Sequence, residues 1–447
     1  MTCPAYPLPR FLSASAGVAI ATSFLTTVCF LNPAAVQAEE QADDFLEDSP
    51  KVVLDEAWQI VNHKYVDANF NQIDWLAARE RLLGQDYSST EAAYKALRDE
   101  LKLLGDPFTR FLNPREYDEL TDQTAGEVSG VGLQLRRDNQ TRSVYVTEVL
   151  SDSPAAQSGL QAGDRIVLVD GQSTERLTVS GVARLLRGAE NSQVTITYLR
   201  NSSQPATVIL TRARLELPTV DYRLQEVEGY RIGYVRLEEF NAHATEQMVE
   251  AINTLANQQV EAFVLDLRGN PGGLLSASIE ISRLWLQRGP IVRTLDRTGE
   301  AEKISANRTA LTDLPLAVLV NERSASSSEI LTGALQDNDR ATVVGTTTFG
   351  KALVQSLYSL TDGSGLAVTI AHYYTPNGTD ISQKGITPDI EVDLSSREER
   401  ALFNDPSLLA SERDAQFLSA VNSLGFTIQA RRRAQNIPSQ LGRSPDL

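Results

Sequence analysis

The sequence predicts a multidomain α+β protein, and three observations carry that prediction. Apolar residues recur at helical spacing near the N-terminus, at Leu54, Trp58, Val61 and Tyr65. Between 116 and 213 the texture changes to short strands punctuated by glycine turns. From 214 to 395 strands alternate with helices, the pattern of an α/β core. The 447 residues suffice for two or three domains, and 42% hydrophobic with 22% charged residues is ordinary globular composition. A formal net charge of −17 argues against nucleic acid, and against an anionic membrane surface, as partners.

Residues 1–38 read as a secretory signal: one charge at Arg10, an apolar stretch from Phe11 to about Leu31, and small residues at Val36-Gln37-Ala38 for cleavage after Ala38. Both cysteines, Cys3 and Cys29, fall inside it. The mature chain is then exported, soluble, and without a disulfide or a thiol nucleophile. Residues 39–115 form an N-terminal helical region. A second helix takes Asp74 as its N-cap. A third follows Ser88, with Glu91 completing a capping box and Gly105 ending it. The helices read as a small bundle. The run Gly105-Asp106-Pro107-Phe108-Thr109-Arg110-Phe111-Leu112 breaks the helical pattern, and His63 reads as a structural histidine.

Residues 116–213 carry strands at Val144–Val149 and in Gly163–Gly171, a short helix after Ser153-Pro154, an amphipathic helix at 179–187, and strands near 194–199 and 206–213. With Gly130-Val131-Gly132-Leu133 ahead of them, these resemble a PDZ domain. The resemblance makes Gly130, Val131, Gly132 and Leu133 the loop that binds a peptide carboxylate. Consecutive N–H groups in a glycine-rich loop form an anion nest, and an open strand edge beside it pairs with an extended peptide.

Residues 214–395 form the largest unit. A strand near Phe263–Leu267 leads through Arg268-Gly269-Asn270-Pro271-Gly272-Gly273 into a helix. That glycine turn reads as a plain turn or as an oxyanion hole with a Gly272 or Gly273 N–H aimed at a reacting carbonyl. The phosphate-loop pattern is absent. Further on, the apolar run Leu316–Val320 reads as a buried strand, followed by Ser324-Ala325-Ser326-Ser327-Ser328-Glu329 at a strand-to-helix turn. Ser326 there is a helix cap or a nucleophile favoured by the helix N-terminus. Lys351 lies 25 residues on, near enough for the chain to fold back, and serves as a base only if burial makes it neutral. Gln355, four residues further, shares its face in helix or strand and is placed to orient the amine. Nothing sets His243 or His372 near Ser326, and no H-E-x-x-H occurs, so a histidine triad or zinc site is not expected. Residues 396–447 read as one helix, about Ser411–Leu424, and a loose basic tail from Ala430.

An export signal, a PDZ-like segment, R-G-N-P-G-G, and S-A-S-S-S-E with G-K-x-x-x-Q together resemble the carboxyl-terminal processing, or tail-specific, proteases. That resemblance implies a Clp-protease/crotonase-like α/β core, with the PDZ domain inserted between it and the N-terminal helical region. It implies Ser326 as nucleophile, Lys351 as general base and Gln355 as its orienting amide. The backbone N–H groups of Gly272 and Ser327 become oxyanion donors. It implies no cofactor and no metal. The partner is a protein substrate with a free apolar C-terminal tail, and a membrane is met only through membrane-embedded substrates. Helical features such as F-N-x-x-D-W and G-D-P-F-T-R-F-L are similar to the photosynthetic branch. Its members trim the C-terminal extension of a photosystem II reaction-centre precursor in the thylakoid lumen; a periplasmic location is the alternative. The rival readings are a general tail-specific protease with other substrates, a non-catalytic PDZ scaffold that only binds tails, and a crotonase-type or retinoid-binding relative of the core.

Overall fold

The computed structural model describes residues 49–138, 140–201 and 204–435. The expected signal segment lies outside them. The largest core is built on a six-stranded sheet in the order Val220–Val227, Tyr230–Leu237, Ala262–Asp266, Leu316–Val320, Thr342–Gly345, Ile390–Glu391. The first pair is antiparallel and the rest parallel. Ala262–Asp266 and Leu316–Val320 are buried at every position, as strands covered on both faces must be. Successive side chains go to opposite layers. Phe263 and Leu265 join the helices Ala244–Asn257, Leu275–Trp285 and Ser327–Asp337 on one face. Val264, Ala317 and Leu319 meet Phe417, Ala420, Val421, Leu424 and Ile428 of the helix Ala415–Gln435 on the other. Removing a side chain such as Phe417 or Ile428 from water contributes about 1.5–3 kcal/mol each. Three parallel strands, ending at Asp266, Val320 and Gly345, send their following loops to one end of the sheet, where α/β sheets place ligands.

A second, five-stranded sheet holds Arg110–Leu112, Gly365–Tyr374, Pro290–Asp296 and Ala301–Ser305 in order, with Leu353–Ser359 also paired to Gly365–Tyr374. The N-terminal helices Pro50–Lys64, Trp75–Gly84 and Thr90–Lys102 are not a self-contained bundle. Leu54, Leu82, Leu97 and Leu104 share one core with Phe111, Leu360, Leu366 and Val368 of this sheet. Their amphipathic faces need a larger apolar partner than each other, and the sheet supplies it. Asp74 caps its helix as expected, accepting from the Ala77 N–H, whereas the next helix is capped by Ser89 rather than Ser88. The expected divisions at 115/116 and 213/214 fall inside the helix Pro114–Ala125 and the strand Ala213–Glu216.

The intervening segment folds as a sheet ordered Leu133–Arg137, Val144–Val149, Arg165–Val169, Gln193–Leu199, Ala206–Thr211. The helix Val179–Leu186 buries Val182 and Leu186 in its own small core. The chain enters and leaves through an antiparallel pair, Glu127–Gly130 with Ala213–Glu216.

The C-terminal part departs from expectation. Its described residues hold two α-helices, Ser396–Asn404 and Ala415–Gln435, and the second runs on through the basic residues taken for a loose tail. Arg431 reaches Asp313 at 3.0 Å, and Arg432 grips Glu261 with two nitrogens, at 2.5 and 2.6 Å. Arginines in the last turns of a helix also sit favourably in its dipole. No helix among the described residues is long and apolar enough to cross a membrane.

Candidate active site

Leu316–Val320 ends in a tight turn, and Ser326 caps the following helix with φ 54° and ψ −112°. A serine held there carries backbone strain of about 1–3 kcal/mol, which persists only where surrounding bonds enforce it. Glu329, fully buried one turn into the helix, provides the first of those bonds. Its carboxylate takes the Ser326 N–H at 2.8 Å and the Lys351 N–H at 2.9 Å on one oxygen. The other oxygen takes the Gly350 N–H and the Thr348 hydroxyl, both at 2.6 Å. The Tyr373 hydroxyl faces the carbonyls of the same two residues, Lys351 and Ser326, the latter at 3.1 Å. Burial, reinforced by Glu329, holds that phenol well above its ordinary pKa, so it stays a donor. One carboxylate and one phenol thus tie the backbones of Ser326 and Lys351 together.

The glycine loop is laced to the same turn. Gly272 has φ +103°, and a Cβ there would stand 2.7 Å from the Ala325 carbonyl oxygen and 2.9 Å from Ser326 Cβ and Ser327 N. Only glycine permits that approach. The Ser327 hydroxyl donates to the Gly273 carbonyl at 2.9 Å, and the Ser328 hydroxyl donates to the Asn270 carbonyl at 3.0 Å. The Gly272 N–H, expected as an oxyanion donor, is engaged with Asn270 Oδ1 at 2.8 Å. Ser327 therefore contributes a side-chain stitch that the sequence did not suggest, and its backbone nitrogen lies beside Gly272.

Lys351 is partly buried, and its Nζ lies 4.4 Å from the centre of the Phe108 ring. Burial lowers its pKa, Arg110 lowers it further, and Asp106 and Glu329 oppose the shift without cancelling it. Gln355 follows in the strand Leu353–Ser359, but a register shift between Val354 and Gln355 interrupts the alternation on which the four-residue spacing relied. Its Nε2 is buried without a hydrogen-bond partner. Glu329, Tyr373 and Phe108 escaped the sequence reading. Glu329 was legible only as a cap partner, and Tyr373 is anonymous within a strand. Phe108 sits in the one N-terminal run that broke helical periodicity. Of the histidines, His63 bonds the Gln59 carbonyl, His243 meets Glu127 at 3.2 Å, and His372, next to Tyr373 in its strand, is paired with Leu295 and Leu353.

The model of peptidase family S41 matches residues 231–392, and a PDZ domain model matches 145–200. A carboxyl-terminal-processing protease of Synechocystis sp. is 40% identical over 396 residues, spanning 88% of this chain and 90% of that one. The chloroplastic carboxyl-terminal-processing peptidase 2 of Arabidopsis thaliana is 40% identical over 360 residues, 78% of this chain and 70% of that one. Among solved structures, a photosystem II D1 C-terminal processing protease superposes with a TM-score of 0.53 at 36% identity, covering 83% of this chain and 99% of that one. The chain belongs to peptidase family S41.

This S41 peptidase is a serine-type enzyme of the carboxyl-terminal-processing group, with a PDZ domain beside its peptidase core. Its glycine loop stands on a buried ionic cluster. Arg268 binds Asp266 at 2.6 Å and Asp414 at 2.8 Å, and also reaches Gln416 at 3.0 Å. Tyr234 donates to Asp266 at 2.7 Å. Burial, the largest single influence, raises the Asp266 pKa, but Arg268, Arg236 and the Tyr234 hydroxyl together outweigh it and the net shift is downward. Within the PDZ part of the S41 peptidase, Val131 is buried and its carbonyl accepts from the Ala155 N–H at 2.9 Å. The Gly132 carbonyl accepts from the Leu150 N–H at 3.0 Å, and Gly132 has φ +84° with Ser153 Cβ 2.2 Å from where a Cβ would stand.

Proposed function

We propose that this chain is an exported C-terminal processing endopeptidase with a Ser326–Lys351 dyad, working in a thylakoid lumen or periplasm. In this reading the loop Gly130–Leu133 and the neighbouring strand edge capture a free, apolar C-terminus. Neutral Lys351 takes the proton of Ser326 Oγ as the oxygen attacks the scissile carbonyl. The tetrahedral oxyanion is met by the N–H groups of Ser327 and Gly272, the latter leaving Asn270 Oδ1 to do so. The Lys351 ammonium then protonates the departing amine, and water, deprotonated by the same lysine, releases the acyl group. Gln355, whose amide nitrogen has no partner in this state, orients the amine once Lys351 turns to the serine.

The observation that carries the reading is a lysine with a lowered pKa whose backbone is tied, through Glu329, to a strained serine at a helix N-terminus. The substrate proposed is the C-terminal extension of a photosystem II reaction-centre precursor. Its support is the likeness to cyanobacterial and chloroplastic relatives and to the solved photosystem II processing protease. The test compares the mature chain with Ser326→Ala and Lys351→Ala on a protein ending in that extension, on the same protein with an amidated terminus, and on an unrelated apolar tail. The dyad predicts that both variants are inert, and carboxylate capture predicts that amidation slows cleavage. Equal cleavage of the unrelated tail would favour a general tail-specific protease. An active Lys351→Ala would sink the dyad.

A further inference from the structure

The turn Gly105–Leu112 lies far from the dyad in sequence, yet the fold fastens it beside Lys351. Arg110–Leu112 pairs antiparallel with Gly365–Ala367. Asp106 bonds the Phe108 N–H at 2.9 Å, the Thr109 hydroxyl at 2.7 Å and the Thr369 hydroxyl at 2.6 Å. The Thr369 N–H in turn donates to Thr109 Oγ1 at 3.0 Å. Thr369 stands directly across from Gln355, in the strand that follows Lys351. Held at both ends in this way, Phe108 presents its ring to Lys351 Nζ at 4.4 Å.

We propose that Phe108 is a positioning residue for Lys351: its ring face seats the amine, which makes the N-terminal turn a working part of the peptidase centre. The proposal rests on the Ser326–Lys351 reading given above. Its chemistry follows from the charge the base must carry. When Lys351 accepts the Ser326 proton it becomes an ammonium in a partly buried site with little water to solvate it. An aromatic face attracts a cation through its quadrupole, and the attraction grows with desolvation. The charged groups around the amine come from two elements: Asp106 and Arg110 on the turn itself, and Glu329 on the serine helix. Glu329 already accepts from four donors, and Arg110 repels the ammonium. The ring is a neutral seat that favours the protonated amine without fixing it in an ion pair, so the proton can still be returned to the leaving group.

The test is the pH profile of kcat/KM for the full mature chain, on a fluorogenic peptide ending in a free apolar carboxylate. Phe108→Leu removes the π face and makes the ammonium easier to deprotonate, so the acid limb moves to lower pH by about half a unit to one unit. Phe108→Trp offers a better face and holds or raises it. An order of Leu below Phe, with Trp at or above Phe, supports the proposal. A merely structural Phe108 would lower activity at every pH and leave the limb in place, and that result, or the reverse order, overturns it. If Phe108→Leu fails to fold by thermal unfolding, Phe108→Met takes its place. Ser326→Ala and Lys351→Ala run alongside: if Lys351→Ala stays active, the dyad itself falls. If both are inert while the limb is immobile, only the role of Phe108 falls.

Discussion

Two carboxylate oxygens can serve four donors, and Glu329 uses that full capacity to join the backbone of Ser326, the proposed nucleophile, to that of Lys351, the proposed base. Glu329→Gln keeps the shape but turns one acceptor into an NH2 group facing donors. Each frustrated buried donor costs about 1–3 kcal/mol, and the strained Ser326 loses an anchor, so kcat should fall by about a hundredfold or more with KM changing far less. Steady-state kinetics checks this, and an unchanged kcat would show that the clamp is dispensable. The base itself predicts a pH dependence. Burial and Arg110 place the Lys351 pKa below its ordinary 10.5. Only the neutral amine accepts a proton, so kcat/KM should rise with pH through that lowered pKa and be lost on acidification. A profile flat down to the carboxylate range would contradict a lysine base. Ser326 and Lys351 could be singled out as candidates in the sequence because the proposed chemistry needs particular residue types in a recognisable setting. Tyr373 and Phe108 could not, since each acts through a position in space that no local spacing encodes.

At the scale of elements, the loops after three parallel strands converge because their strands are neighbours in one sheet, and an ionic cluster anchors the first of them at Arg268. Asp414, brought from the distant C-terminal segment, is fully buried against Arg268. Asp414→Ala leaves that guanidinium short of a counter-charge and should destabilise the fold by about 3–5 kcal/mol. Chemical denaturation measures it, and a loss under about 1 kcal/mol would mean that Asp266 alone suffices. The buried strand Leu316–Val320 could be read from the chain with its bounds, because an apolar run between polar residues is a local signal, and Val144–Val149 could be read from its alternating valines, of which Val144 and Val146 are buried. Pro290–Asp296, Ala301–Ser305 and Val220–Val227 could not. Each pairs with a neighbour in the chain, but their burial is mixed along both faces, so no apolar run or clean alternation marks them. The C-terminal helix outran its reading for a related reason. Arginines that look solvated in sequence found carboxylates at Asp313 and Glu261.

Across the whole molecule, the proposed capture and the proposed cutting fall to parts with separate apolar clusters. Gly132→Val is therefore expected to act on one and spare the other. A side chain at its positive φ would meet Ser153, deforming the loop that is proposed to hold the tail's carboxylate. KM for a protein tail should rise several-fold while the folded core keeps its kcat on a short saturating peptide. Equal loss on both substrates would place the effect in the peptidase core instead.

The antiparallel pair Glu127–Gly130 with Ala213–Glu216 brings the two ends of the PDZ module side by side, and just outside it the Leu217 N–H donates to the Gly126 carbonyl at 2.8 Å. A segment of some ninety residues is thus attached through a single doorway whose two posts already touch. In genetic terms it is a cassette: a cut at the doorway leaves ends that a few residues can rejoin, and a different module can be spliced in without asking the host sheet to move. Lineages that keep the cutting machinery are then free to exchange the part that chooses what is cut.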